Sequence, residues 1–216
     1  MNYTIVGDQL PVLTIHLGPS ERIITENESP HLSWVSPEIK KVTISTSNFP
    51  PFFSKLIFGD ARVLDVYVNQ QKNSVIAFSS SHPSKIVALD VLPGQPILAK
   101  KGSILAMEQG IQALPASKFN LWDALFGNDD LALIKLEGKG KVFIQLDRSS
   151  VEYQLVQDET ISFDQSSIAY VTGSVTVKTK RTNIIKAFFF GGNDTVKHIL
   201  VGPGKVVMQN ANYQRS

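Results

Sequence analysis

Short runs of alternating apolar and polar residues, set off by turn residues, recur along this chain. In 10–25, two such runs flank Gly18-Pro19-Ser20, which predicts two strands and a turn. The same plan returns at Ile86 to Val91, then Pro93-Gly94, then Ile97-Leu98-Ala99. It returns again at Val151 to Leu155, then Asp158-Glu159, then Ile161-Ser162-Phe163. Ser174 to Lys180 alternates valine and threonine with polar residues, as a half-buried strand does. Leu131 to Leu136 and Lys141 to Leu146 flank Gly138-Lys139-Gly140, which predicts a hairpin with a short glycine turn. Gly202-Pro203-Gly204 predicts the same turn further on, glycine being favoured where φ must be positive.

These runs belong to a repeat. Sliding Ser103–Gln145 forward by 64 residues (167 − 103) superposes it on Ser167–Gln209 without a gap, with 11 of 43 positions identical. The identities include Ser103 on Ser167, Phe126-Gly127 on Phe190-Gly191, Gly138 on Gly202 and Gln145 on Gln209. A more divergent copy precedes them. His31 to Val35 aligns with Ser103 to Met107 at a shift of 72 (103 − 31), and Ser74 to Phe78 with Lys141 to Gln145 at a shift of 67 (141 − 74). The pattern therefore predicts three β units, 1–82, 83–146 and 147–216, together forming one compact domain.

One segment in each unit departs from strand spacing. Phe119 to Phe126 sets apolar residues three and four apart, with Asn120 as an N-cap and Gly127 as a stop. Thr182 to Gly191 repeats this plan, and Phe52 to Gly59 follows Pro50-Pro51. Short helices are expected here. They either cover the ends of the β units or leave apolar side chains free for assembly.

Bulk properties narrow the function. A net charge of +2 over 216 residues gives no argument for nucleic acid. The absence of cysteine excludes a disulfide framework, a thiol nucleophile and a cysteine-based zinc site, and it permits a reducing compartment. Met1 to Asp8 lacks the basic start and apolar run of a signal peptide. No apolar run approaches the ~18 residues that span a bilayer. A cytoplasmic location is expected.

Candidate chemistry is sparse. His16, His31, His82 and His198 show no metal-ligand spacing, so no metal site is expected. Asp129-Asp130 and Asn193-Asp194 suit turns better than a calcium loop. Ser103 and Ser167 lack the Gly-x-Ser-x-Gly setting of a nucleophile elbow and are expected to end a turn before a strand. Gly138-Lys139-Gly140-Lys141 lacks the spacing of a phosphate loop. Lys178-Thr179-Lys180-Arg181 places basic residues on a strand without the stacking aromatics that RNA modules add, so nucleic acid is disfavoured.

Once aligned, the chain resembles the family named for altered inheritance of mitochondria, the mitochondrial biogenesis family, in a bacterial or archaeal form. The resemblance rests on Pro93-Gly94 with Ile97-Leu98-Ala99, on Gly102 to Met107, on Leu125-Phe126-Gly127 with Asp129-Asp130, and on Gly138 to Gln145. It implies an all-β fold of three antiparallel β-sandwich units, similar to the tryptophan RNA-binding attenuator protein, in a pseudo-threefold arrangement. It brings no catalytic residue and no cofactor, and it implies a non-enzymatic scaffold or interaction role. An RNA- or small-ligand-binding module is the alternative. The expected partners are further copies of the chain or another protein, with Trp122, Phe126, Phe188 and Phe189 as the candidate interaction surface. Peripheral membrane contact through the same residues is the other use such a surface has.

Overall fold

The computed structural model describes residues 1–26, 31–45, 63–70, 73–80, 82–100, 102–115, 133–163, 167–180 and 197–209. The elements formed there are strands. The first seven are β1 (Asn2–Val6), β2 (Val12–Leu17), β3 (Arg22–Glu26), β4 (His31–Val35), β5 (Ile39–Ser45), β6 (Val63–Asn69) and β7 (Ser74–Ser79). Six follow: β8 (Ser84–Val91), β9 (Ile97–Lys100), β10 (Ile104–Glu108), β11 (Ile111–Pro115), β12 (Leu133–Gly138) and β13 (Gly140–Asp147). The last six are β14 (Val151–Leu155), β15 (Thr160–Phe163), β16 (Ile168–Gly173), β17 (Thr176–Lys180), β18 (Lys197–Val201) and β19 (Gly204–Met208). The chain is all-β. The helices expected at 52–59, 119–126 and 182–191 lie outside the described residues.

Among the described residues the strands form four antiparallel sheets, ordered β1-β2-β7-β4, β5-β6-β3-β10-β13-β8, β11-β12-β9-β16-β19-β14 and β15-β18-β17. Alternation sends neighbouring side chains to opposite faces, and in the second and third sheets both faces are covered, so Ile104 to Met107 and Ile168 to Val171 are buried without a break. Three apolar cores result. Leu13, Ile15 and Phe78 of the first sheet meet Ile23, Tyr67 and Phe143 of the second. Val142, Ile144 and Leu146 of the second meet Ile97, Ile134 and Leu136 of the third. Ile168, Val171 and Val206 of the third meet Val177 and Leu200 of the fourth. On β17, Val177 is buried while Thr176 and Lys178 face out, the alternation expected there.

The glycine turns are not hairpins. β12 lies in the third sheet and β13 in the second, so Gly138-Lys139-Gly140 carries the chain across a sandwich corner. Gly202-Pro203-Gly204 does the same between β18 and β19, as do Gly18-Pro19-Ser20 and Pro93-Gly94 at the earlier corners. The corner explains the glycine. Gly138 has φ +117 and packs against the Gly110 carbonyl, so a Cβ on either residue would strike the backbone of the other turn. The Lys139 amide donates to the Gly110 carbonyl at 3.1 Å, which pins the two turns together. Gly138→Ala is expected to destabilise by about 1–3 kcal/mol. A Cβ at Gly94, where φ is +76, would meet nothing within 4 Å, so Gly94→Ala is expected to cost less. Paired thermal denaturation curves check the order.

Strand registers repeat. Ala106 opposes Phe143 and Met107 opposes Val142, with a bulge between Ile104 and Ala106. Sixty-four residues on, Tyr170 opposes Val207 and Val171 opposes Val206, with the bulge between Ile168 and Tyr170. Trp34 opposes Ala77 and Val35 opposes Ile76, with the bulge between Leu32 and Trp34. The first strand of this pair keeps the shift of 72 (107 − 35), but the second has 66 (142 − 76), not 67. One residue matters here, because it moves every side chain to the other face. Phe78 corresponds to core residue Ile144, both fully buried, and not to Gln145.

Candidate interaction surface and inter-sheet grooves

Where β3 meets β10 and where β9 meets β16, two three-stranded halves join into one six-stranded sheet. A groove opens beside each joint. The first has a volume of about 270 Å³ and is lined by Glu21, Arg22, Glu108, Gln109 and Lys139. The second, about 340 Å³, is lined by Gln95, Pro96, Tyr170, Thr172, Gly173 and Lys205. Their linings correspond at the 64-residue offset, since Glu108 and Gln109 advanced by 64 become Thr172 and Gly173. Charge is placed differently: the first groove has Arg22 and Glu108 where the second has Pro96 and Thr172, and the second is charged instead at Asp90 and Lys205.

The lysines that follow the corner glycines are held by carboxylates. Lys141 Nζ lies 2.5 Å from Asp90 Oδ1 and Lys205 Nζ lies 2.8 Å from Glu152 Oε1. Hydrogen bonding to Asp90 holds the Lys141 amine above its ordinary pKa, and Glu152 does the same for Lys205. Burial pushes the Tyr170 hydroxyl up. These cations therefore serve cross-strand pairing rather than a phosphate cradle.

A polar cluster with no signature in the sequence ties β7 and β8 to β13. Ser84 Oγ donates to Ser80 Oγ at 2.7 Å, and Ser80 Oγ donates to the His82 carbonyl at 2.6 Å. Gln145 Nε2 donates to Ser80 Oγ at 2.8 Å and sits 3.1 and 3.2 Å from the two ring nitrogens of His82. Asp147 Oδ1 is 3.6 Å from His82 Nε2. Serine, histidine and aspartate are thus together, but not as an activated nucleophile. The Ser80 hydroxyl proton goes to a backbone carbonyl, whereas nucleophilic catalysis needs the ring as its acceptor. Gln145 joins a partner 65 residues away, a separation that leaves no local signal.

Ser103 and Ser167 each stand one residue before a strand, and their carbonyls accept from the Gln145 and Gln209 amides at 2.8 and 2.7 Å. His16 is exposed on β2. Among the described residues, no three histidine, aspartate or glutamate side chains converge as metal ligands. Among them also, no helix is long and apolar enough to cross a membrane.

Trp122, Phe126, Phe188 and Phe189 all lie outside the described residues, so the structure neither places them nor brings them together. Topology locates their connections: 116–132 joins β11 to β12, and 181–196 joins β17 to β18. Both pairs are antiparallel neighbours, as are β5 and β6, which 46–62 joins. The segments 119–126 and 182–191, like 52–59, thus sit in connections between matching strands.

Exposed apolar side chains do occur elsewhere. On β4, Leu32, Trp34 and Val35 are 41%, 50% and 38% exposed. Their counterparts on β10, Ile104, Ala106 and Met107, are 1%, 0% and 3% exposed. Sequence patterning misses this, because exposure here depends on which strand lies alongside.

Comparison with known proteins adds three findings. The family profile described as Mitochondrial biogenesis AIM24 matches residues 3–211. No curated protein matches the chain. The crystal structure of a Streptococcus pyogenes protein matches at a TM-score of 0.69, with 15% sequence identity, over 97% of this chain and 93% of that one. At that identity the likeness shows the fold alone.

Proposed function

The chain belongs to the Mitochondrial biogenesis AIM24 family, and from that premise we propose that it is a non-enzymatic scaffold or interaction protein that associates with further copies of itself. The observation that carries this reading is the exposure of Leu32, Trp34 and Val35 on one strand. A strand that leaves apolar side chains exposed on both faces is a template for pairing with another chain. The connections holding Trp122, Phe126, Phe188 and Phe189 are the second candidate contact. Arrangement of the chain as units 1–82, 83–146 and 147–216 is part of the same reading, supported by the recurring bulge and register. So is a cytoplasmic location, supported by the lack of cysteine.

Size-exclusion chromatography with light scattering tests the proposal, together with the ultraviolet absorbance ratio of the eluted peak. An assembly larger than the 23.8 kDa chain, free of nucleic acid, is the expected result. A nucleic-acid absorbance ratio would favour the RNA module instead. The two matching grooves, about 270 and 340 Å³, support small-ligand binding as a second reading, because pockets near this size hold small molecules.

A further inference from the structure

We propose that β4 and β15 are the two halves of a third joint, completed between two copies of the chain. The two joints within the chain share one register. Met107 on β10 opposes Ile24 on β3, and Val171 on β16 opposes Leu98 on β9. Val171 is Met107 advanced by 64, and both follow the same bulge. Carrying the pattern round once more names the strands of a third joint. The counterpart of β10 and β16 is β4, with Val35 in the place of Met107 and Val171. The counterpart of β9 is β15, with Ser162 in the place of Leu98. Leu98 opposes Lys135, and Ser162 opposes Ile199, both 64 residues further on.

Among the described residues, both strands stand at the end of a sheet, β4 in the first and β15 in the fourth. The two do not pair with each other within the described residues. The cost is visible on β4, where Leu32, Trp34 and Val35 are exposed although their counterparts on β10 are buried. Natural sheet edges are guarded by charge, proline or a bulge turned outward. His31-Leu32-Ser33-Trp34-Val35 has no carboxylate, lysine, arginine or proline to do so, and its bulge is the one that β10 and β16 carry while paired on both sides. Strand addition satisfies such an edge through main-chain hydrogen bonds. With β15 of a second copy laid on β4, Val35 opposes Ser162 and Trp34 opposes Phe163. The fourth sheet of one copy and the first of the next then become one seven-stranded sheet (3 + 4). The contact is head-to-tail, so it propagates to a ring or a filament. This deepens the self-association reading and rests on it, but it uses a different surface from the aromatic connections.

The chain has no cysteine, so single replacements report cleanly. Val35→Cys and Ser162→Cys proteins are mixed in equal amounts, oxidised mildly and run on a non-reducing gel. A disulfide-linked dimer containing one of each, at several-fold the yield of either protein alone, supports the joint. Absence of that dimer overturns it. In the double variant, a link that leaves the chain running as a monomer also overturns it, because the third joint then closes within one chain. Leu32→Cys with Ser162→Cys, out of register, is expected not to link. Circular dichroism of each protein shows that the fold is kept. If wild type assembles but no such link forms, the joint fails while the scaffold reading stands.

Discussion

Phe143→Ala is expected to cost about 3–5 kcal/mol of folding stability, the range for deleting a buried phenylalanine side chain. Phe143 is fully buried on β13, in the interior of the second sheet. It points into the core shared with the first sheet, among Leu13, Ile15 and Phe78. Its ring meets Tyr3 edge-on, with centroids 5.0 Å apart and planes at 73°, an arrangement worth about 0.5–1.5 kcal/mol beyond area burial. The truncation therefore opens a cavity between sheets and releases the N-terminal strand's aromatic contact. Denaturant titration reads the loss as a lower midpoint at unchanged slope. A loss below about 1 kcal/mol, far under the usual range for such a truncation, would mean that the first two sheets do not share a core.

The double change Trp122→Ser with Phe188→Ser is expected to give a smaller species that is still folded. Each of these residues lies in the connection of a matching strand pair, and each connection contains an apolar run ending in Phe-Gly. Apolar area left in water is unfavourable by roughly 25 cal/mol per Å², and contact with another chain removes it. Light scattering beside circular dichroism separates the readings. A reduced mass with an unchanged spectrum is the predicted result. A variant that unfolds instead identifies these side chains as core.

Much of the fold is legible because the hydrophobic effect writes itself into local period. The 64-residue offset, the alternation of Ser174 to Lys180 and the placing of Ser103 and Ser167 before strands all rest on short-range pattern. Pairing is what such pattern does not carry. Gly138-Lys139-Gly140 between two alternating runs reads alike whether the second strand folds back beside the first or crosses to the facing sheet. Only the partners decide, and β13's partners are β8 and β10. The strand Asn2–Val6 also escapes a sequence reading, since its pattern is short and its pairing with β2 supplies the order. The 67-residue shift read for Ser74 to Phe78 differs by one from the strand register, which gives 66, because local pattern does not fix register. The Ser80, His82 and Gln145 cluster and the exposed apolar residues of β4 are invisible for the same reason. Both arise from which distant strands lie together.

If this chain functions by associating with copies of itself, its solution mass shows it most directly. Light scattering across a dilution series up to high micromolar concentration is the measurement. The predicted result is a mass that is a multiple of 23.8 kDa at the upper concentrations. A single species at the mass of one chain throughout the series would contradict self-association.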